Sequence, residues 1–104
     1  MWKTDVPLLL RDQDRQRLTA LMALHLPGIT GRVYGSRVTG LAHDASDLDL
    51  ALMAPDAQPI PFEQLEEFRQ AVNDSFLPIL VDARDWARLP SSFHTEIEKA
   101  YVEL

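Results

Sequence analysis

Cysteine is absent from the 104 residues, which removes both a disulfide framework and a thiolate metal site. Long apolar runs are absent as well. No stretch approaches the roughly 20 apolar residues that a bilayer-spanning helix needs, and Met1-Trp2-Lys3-Thr4-Asp5 opens without the apolar core of a signal peptide. The expectation is a cytoplasmic protein with no membrane attachment. Positive charge is scarce: 10 Lys and Arg stand against 16 Asp and Glu, for a net charge of −6. Proteins that grip nucleic acid through its backbone do so largely by replacing condensed counterions with Lys and Arg. No direct nucleic-acid partner is therefore expected. An acidic surface serves solubility and leaves a basic protein open as a partner. Repeats, low-complexity tracts and linkers are also missing, and 46% apolar residues at this length suit one domain over residues 1–104. His25, His43 and His94 lack the spacing of a metal-binding helix pair, so no zinc site is expected.

What is present has a clear periodicity. Leu18, Leu21, Met22 and Leu26 predict a helix over residues 12–26, with Asp12 or Asp14 capping its start and Pro27-Gly28 ending it. Gly31 to Tyr34 reads as a short strand step. From Asp47 to Met53, Leu48, Leu50 and Leu52 alternate with Asp47, Asp49 and Ala51, which predicts a strand with three leucines on one face and both aspartates on the other. Three prolines make 55–61 a loop, Pro61 suiting the first turn of a helix that carries Phe62, Leu65, Val72 and Phe76. A third strand, 79–84, alternates Ile79, Val81 and Ala83 with Leu80, Asp82 and Arg84. A last helix starting near Ser91 or Ser92 carries Phe93, Ile97, Tyr101 and Leu104 in one stripe. Tyr101 reads as part of that stripe, and Trp2 and Trp86 read as packing residues rather than exposed partner anchors.

The chemistry lies in the segment 35–50. Gly35 lets backbone amides approach an anion, the Ser36 hydroxyl and the Arg37 guanidinium can donate to phosphate oxygens, and Gly40 permits a second bend. A Gly-Ser turn alone says little, since such turns occur in most domains. Asp47 and Asp49 sit two residues apart on a strand, so their Cβ atoms are about 6 to 7 Å apart on one face. Taken alone, such a pair is more often a solvated strand face than a metal site. Read as a site, it would relieve its own repulsion with a hard cation, Mg²⁺ first and Mn²⁺ next. Alternation in the third strand offers Asp82 as a third carboxylate, while Asp85 suits the following turn or cap. Asp44 reads as a local hydrogen-bonding turn residue.

Gly35-Ser36, ten intervening residues and Asp47-Leu48-Asp49 resemble the signature of the DNA polymerase β-like nucleotidyltransferase superfamily. Gly35-Ser36-Arg37-Val38-Thr39-Gly40 with Ser46-Asp47-Leu48-Asp49-Leu50 is typical of its minimal (MNT) branch. Leu77-Pro78-Ile79-Leu80-Val81-Asp82 resembles that branch's third strand, and Phe93 to Leu104 its closing helix. The resemblance implies an α+β, two-layer nucleotidyltransferase fold, a small mixed sheet with helices packed on one face. It implies that Gly35 and Ser36 hold the β- and γ-phosphates of ATP with Arg37 as a further phosphate contact. It also implies that Asp47 and Asp49 bind two Mg²⁺ ions, and that Asp82 binds the catalytic ion and helps activate the acceptor hydroxyl. Val33-Tyr34 departs from the family's usual Leu-Phe or Ala-Phe ahead of the turn, which puts the packing beneath it in question.

Larger members of the superfamily carry extra domains for the acceptor, and this chain ends about where those would begin. The minimal proteins are similar to the antitoxins of HEPN/MNT toxin–antitoxin pairs, which transfer AMP from ATP to a tyrosine of the HEPN ribonuclease. The resemblance therefore implies a protein adenylyltransferase acting as antitoxin on a HEPN-family toxin. Two other functions fit the same residues: a binding module that neutralises its toxin by occlusion without catalysis, and a nucleotidyltransferase acting on a small hydroxylated molecule such as an aminoglycoside.

Overall fold

A computed structural model describes residues 8–39 and 47–104. The expectations for Trp2, Gly40, His43 and Asp44 fall outside the described residues. The chain begins with helix α1, Asp12–His25, which turns Leu18 and Met22 inward at a four-residue step. Arg11 takes the cap position with extended backbone, so Asp12 and Asp14 lie inside the first turn rather than capping it. There their charge opposes the positive end of the helix dipole. Asp14 is buried and bonded by Arg11 Nε at 2.9 Å. Gly28, at φ +80°, carries the chain out of the helix in the left-handed conformation that glycine tolerates.

Strand β1, Thr30–Tyr34, follows, then a single helical turn, α2, Ser36–Thr39. Strand β2, Leu48–Met53, runs antiparallel to β1, pairing Val33 with Leu50 and Tyr34 with Asp49. Helix α3, Phe62–Asn73, crosses over to strand β3, Val81–Asp85, which lies parallel to β2. A parallel neighbour requires such a crossover, because two parallel strands cannot be joined by a tight turn. Helix α4, Ser91–Lys99, leads to a two-residue strand β4, Val102–Glu103, on the far side of β1. The sheet order is β3-β2-β1-β4, and the sheet is mixed, as expected.

Leu48, Leu50 and Leu52 all point to one face and are fully buried there. Leu18 and Met22 of α1 and Leu65, Phe68 and Val72 of α3 close over them, forming the main core. Met22 reaches so close to β1 that a Cβ on Gly31 would stand 2.7 Å from its terminal carbon, so a side chain there would push the end of Met22 aside. The two long helices thus share one face. On the other face a smaller cluster joins Ala51, Trp86 and Ile97, the last from α4. Trp86 packs as expected, stacked on His94 with ring centroids 3.9 Å apart and with Arg32 beside it. Helix α4 stops at Lys99, so Tyr101 and Leu104 do not continue its stripe. Tyr101 sits against Arg32, and the Leu104 amide donates to the Gly31 carbonyl. Phe76 lies past the end of α3 and is 86% exposed rather than part of its buried stripe.

Candidate active site

The turn after β1 explains the glycine at 35. Its φ is +79°, and a Cβ there would stand 2.5 Å from Oδ2 of Asp49. An alanine would therefore be strained in backbone and would collide with a carboxylate. The Gly35 carbonyl accepts from the amides of Val38 and Thr39, which starts α2 at once. The turn therefore places Ser36 at the start of α2, directly after Gly35.

Asp49 is half-buried on the face opposite the leucines. Its partner in register on β3 is Asp82, and its partner on β1 is Tyr34. Adjacent strands lie about 4.8 Å apart, so the two carboxylates stand side by side at the sheet end where Gly35 turns. Burial raises the pKa of Asp49 above the ordinary carboxylate value, and the charges of Asp82 and Asp47 push it the same way, with Arg84 opposing them. The Tyr34 hydroxyl is also held above its usual range, first by burial and then by Asp49. Asp47 is exposed at the entrance to β2.

Asp82 is engaged by Arg84, two residues further along the same strand face. Arg84 Nε lies 3.3 and 3.2 Å from the two carboxylate oxygens, and Nη2 lies 3.1 Å from Oδ2. Asp85 faces the opposite way and is 4% exposed. It accepts from the amides of Ile60 at 2.9 Å and Ala87 at 3.1 Å and pairs with Arg88. The strand therefore separates its two aspartates by role. Asp85 ties the α3 approach and the following turn to the sheet, as its capping expectation held, and Asp82 stands on the face of Asp49.

Arg37 lies elsewhere. It is 7% exposed, and its Nη1 donates to the Leu9 carbonyl at 2.7 Å while the Leu9 amide donates back to the Arg37 carbonyl. It lines a 360 Å³ cavity with Asp14 and Ile79 beside α1. Thus Gly35, Asp49 and Asp82 are brought together with Asp47 at the rim, while the Arg37 guanidinium is tied into the seam with the preceding segment.

The oxygen donors of Asp47, Asp49 and Asp82 suit a hard divalent cation. Among the described residues, however, no three His, Cys, Asp or Glu side chains converge on one point as a ready metal cage. Asp82 is turned to Arg84 there. Beside the Gly35 turn a 450 Å³ cavity is lined by Tyr34, Thr39, Phe93 and Ile97, mostly apolar and within the range of small-molecule sites. Strand alternation placed Arg84 beside Asp82 in the sequence, but nothing there signalled that it grips that carboxylate.

The sequence matches the nucleotidyltransferase domain family over residues 18–103. It is 39% identical over 77 residues to the probable protein adenylyltransferase MntA of Haemophilus influenzae, covering 74% of this chain and 66% of that protein, a little under two thirds of its length. A toxin-antitoxin structure with AMP-PNP superposes with a TM-score of 0.69 at 21% identity, over 90% of this chain and 72% of that one. A mutant of the toxin-antitoxin MntA-HpeT superposes with a TM-score of 0.69 at 22% identity, over 86% and 70%. At that identity the two structures establish the shared fold.

Proposed function

The chain belongs to the nucleotidyltransferase domain family, and from that premise we propose that it transfers AMP from ATP to a hydroxyl of a partner protein, a tyrosine of a HEPN-family toxin, acting as its antitoxin. The observation that carries the reading is the pairing of Asp49 with Asp82 across β2 and β3, on the face where Gly35 turns. A solvated strand face has no need of a half-buried carboxylate pressed against a glycine. The names of the relatives, a probable protein adenylyltransferase and toxin-antitoxin assemblies, support the acceptor side of the proposal.

In this reading the whole chain, 1–104, works as one minimal domain in the cytoplasm. Gly35 and the Ser36 amide and hydroxyl hold the terminal phosphates. Arg37 supports the turn from behind through Leu9, and a direct phosphate contact would require it to give up that bond. Asp47, Asp49 and Asp82 would hold two Mg²⁺ ions, Mn²⁺ suiting the same donors. Such a pair, when bound, neutralises the triphosphate and steadies the attacking and leaving oxygens. The acceptor oxygen forms a bond to the α-phosphorus as the bond to the β-phosphate oxygen breaks. Pyrophosphate leaves, and the hydroxyl proton passes to the Asp82 carboxylate and then to solvent.

Incubation with ATP, Mg²⁺ and the cognate toxin should add one or more AMP units to the toxin by mass spectrometry. No mass gain would overturn the proposal. The Asp47→Asn, Asp49→Asn double variant should abolish both the gain and neutralisation. Full neutralisation by that variant would mean that binding alone suffices.

A further inference from the structure

Arg84 stands on the exposed edge strand β3, two residues beyond Asp82, and grips both oxygens of that carboxylate. The pair is half-open to solvent, with the two side chains 45% and 41% exposed. The guanidinium, while holding Asp82, also lies 5.8 Å from the centre of the Phe93 ring on α4, so an aromatic face already borders it. Asp49 stands in register with Asp82 on the neighbouring strand. A cation that joins those two carboxylates must share or displace the bonds Arg84 now makes to Asp82, and two positive charges on one carboxylate repel.

Resting on the nucleotidyltransferase reading of this site, we infer that Arg84 is a positioning residue that competes with the divalent cation for Asp82, so that cation entry and release of the Asp82–Arg84 pair are one coupled event. Without a cation, Arg84 supplies the positive charge that lets three carboxylates share one end of the sheet. With a cation bound, the guanidinium is displaced toward Phe93 and is free to face the anionic nucleotide. Arg84 thus imposes a threshold: it weakens cation binding in the empty site and favours loading once a triphosphate brings charge for the guanidinium to meet.

The test is calorimetric titration of the full chain with Mn²⁺ alone, without nucleotide. Arg84→Gln should bind Mn²⁺ roughly two- to fivefold more tightly than wild type at low salt, the scale set by an exposed ion pair. The difference should shrink toward unity at 0.5 M NaCl as the pair is screened. Arg84→Lys, which keeps the charge but loses the two-pronged grip, should fall between. In an Asp82→Asn background Arg84→Gln should no longer matter beyond its distant charge, which a double-mutant cycle separates. Unchanged or weaker Mn²⁺ binding in Arg84→Gln overturns the inference, as does an effect of equal size in the Asp82→Asn background. If neither wild type nor the Arg84 variants bind Mn²⁺ at millimolar concentration without nucleotide, the inference is overturned, while the nucleotidyl-transfer reading falls only if AMP transfer to the toxin is also absent.

Discussion

Asp49 carries the tension of the site. Its carboxylate is half-buried, presses on Gly35 and faces two other aspartates. Burial most of all, and then the charges of Asp82 and Asp47, disfavour the ionised form, so its pKa is raised in the folded protein. The linkage sign follows. Between the unfolded value, about 3.9, and the raised folded value, the native state binds more protons than the unfolded state, so stability falls as pH rises through that window. Above it, ionised Asp49 destabilises the metal-free fold. Asp49→Asn removes that charge and should therefore make the metal-free protein more stable than wild type at neutral pH. The two should converge as pH falls below the unfolded value. Urea midpoints measured from pH 3.5 to pH 7.5 check this. A wild type that gains stability over Asp49→Asn with rising pH would show that Asp49 is held by favourable partners instead.

Strand β3 divides its side chains between two jobs, and the division can be tested by a pair of conservative changes. Asp85 is buried and holds two backbone amides and Arg88. Asp85→Asn leaves some of those donors poorly met and should cost about 1–3 kcal/mol of stability. Asp82→Asn changes a half-exposed group and should shift stability by no more than about 0.5 kcal/mol, while abolishing AMP transfer. Denaturant titration and the transfer assay, run on both variants, decide it. Equal stability losses would mean that Asp82 is as structural as Asp85. The placement of Asp82 and Asp85 on opposite faces was legible in the sequence because alternation alone assigns the faces. The leucine face of β2 and the helix over α3 were legible for the same reason, since periodicity records which side is buried. Other features were not. Arg37 turns to Leu9 and Arg84 turns to Asp82 through side-chain choices that no periodicity encodes. Helix α4 ends at Lys99 because Ala100 adopts extended backbone and Val102 pairs with Val33, a distant partner that the stripe Phe93, Ile97, Tyr101 could not reveal.

Among the described residues, most positive charges are already committed, while half-buried Arg15 and exposed Arg17 reach only the backbone carbonyls of Glu103 and Phe76. Arg11, Arg69, Arg84, Arg88 and Lys99 each pair with a carboxylate, Arg32 lies between the rings of Trp86 and Tyr101, and Arg37 is buried. That leaves a surface whose net charge of −6 faces solvent without a basic patch built from those residues. Affinity for nucleic acid comes largely from counterions released by Lys and Arg, so the fold removes the means as well as the numbers. A labelled RNA or DNA oligonucleotide titrated with the protein at 0.1 M salt should show no rise in fluorescence anisotropy up to tens of micromolar protein, a range set by the ordinary scale of non-specific binding, roughly 1–100 µM. If the partner is a basic protein, its association should slow as salt is added while its complex persists. A salt-sensitive rise in anisotropy with the oligonucleotide would mean that Arg15, Arg17 or arginines released from their carboxylates suffice to hold phosphates. That would overturn the expectation that nucleic acid is no direct partner of this chain.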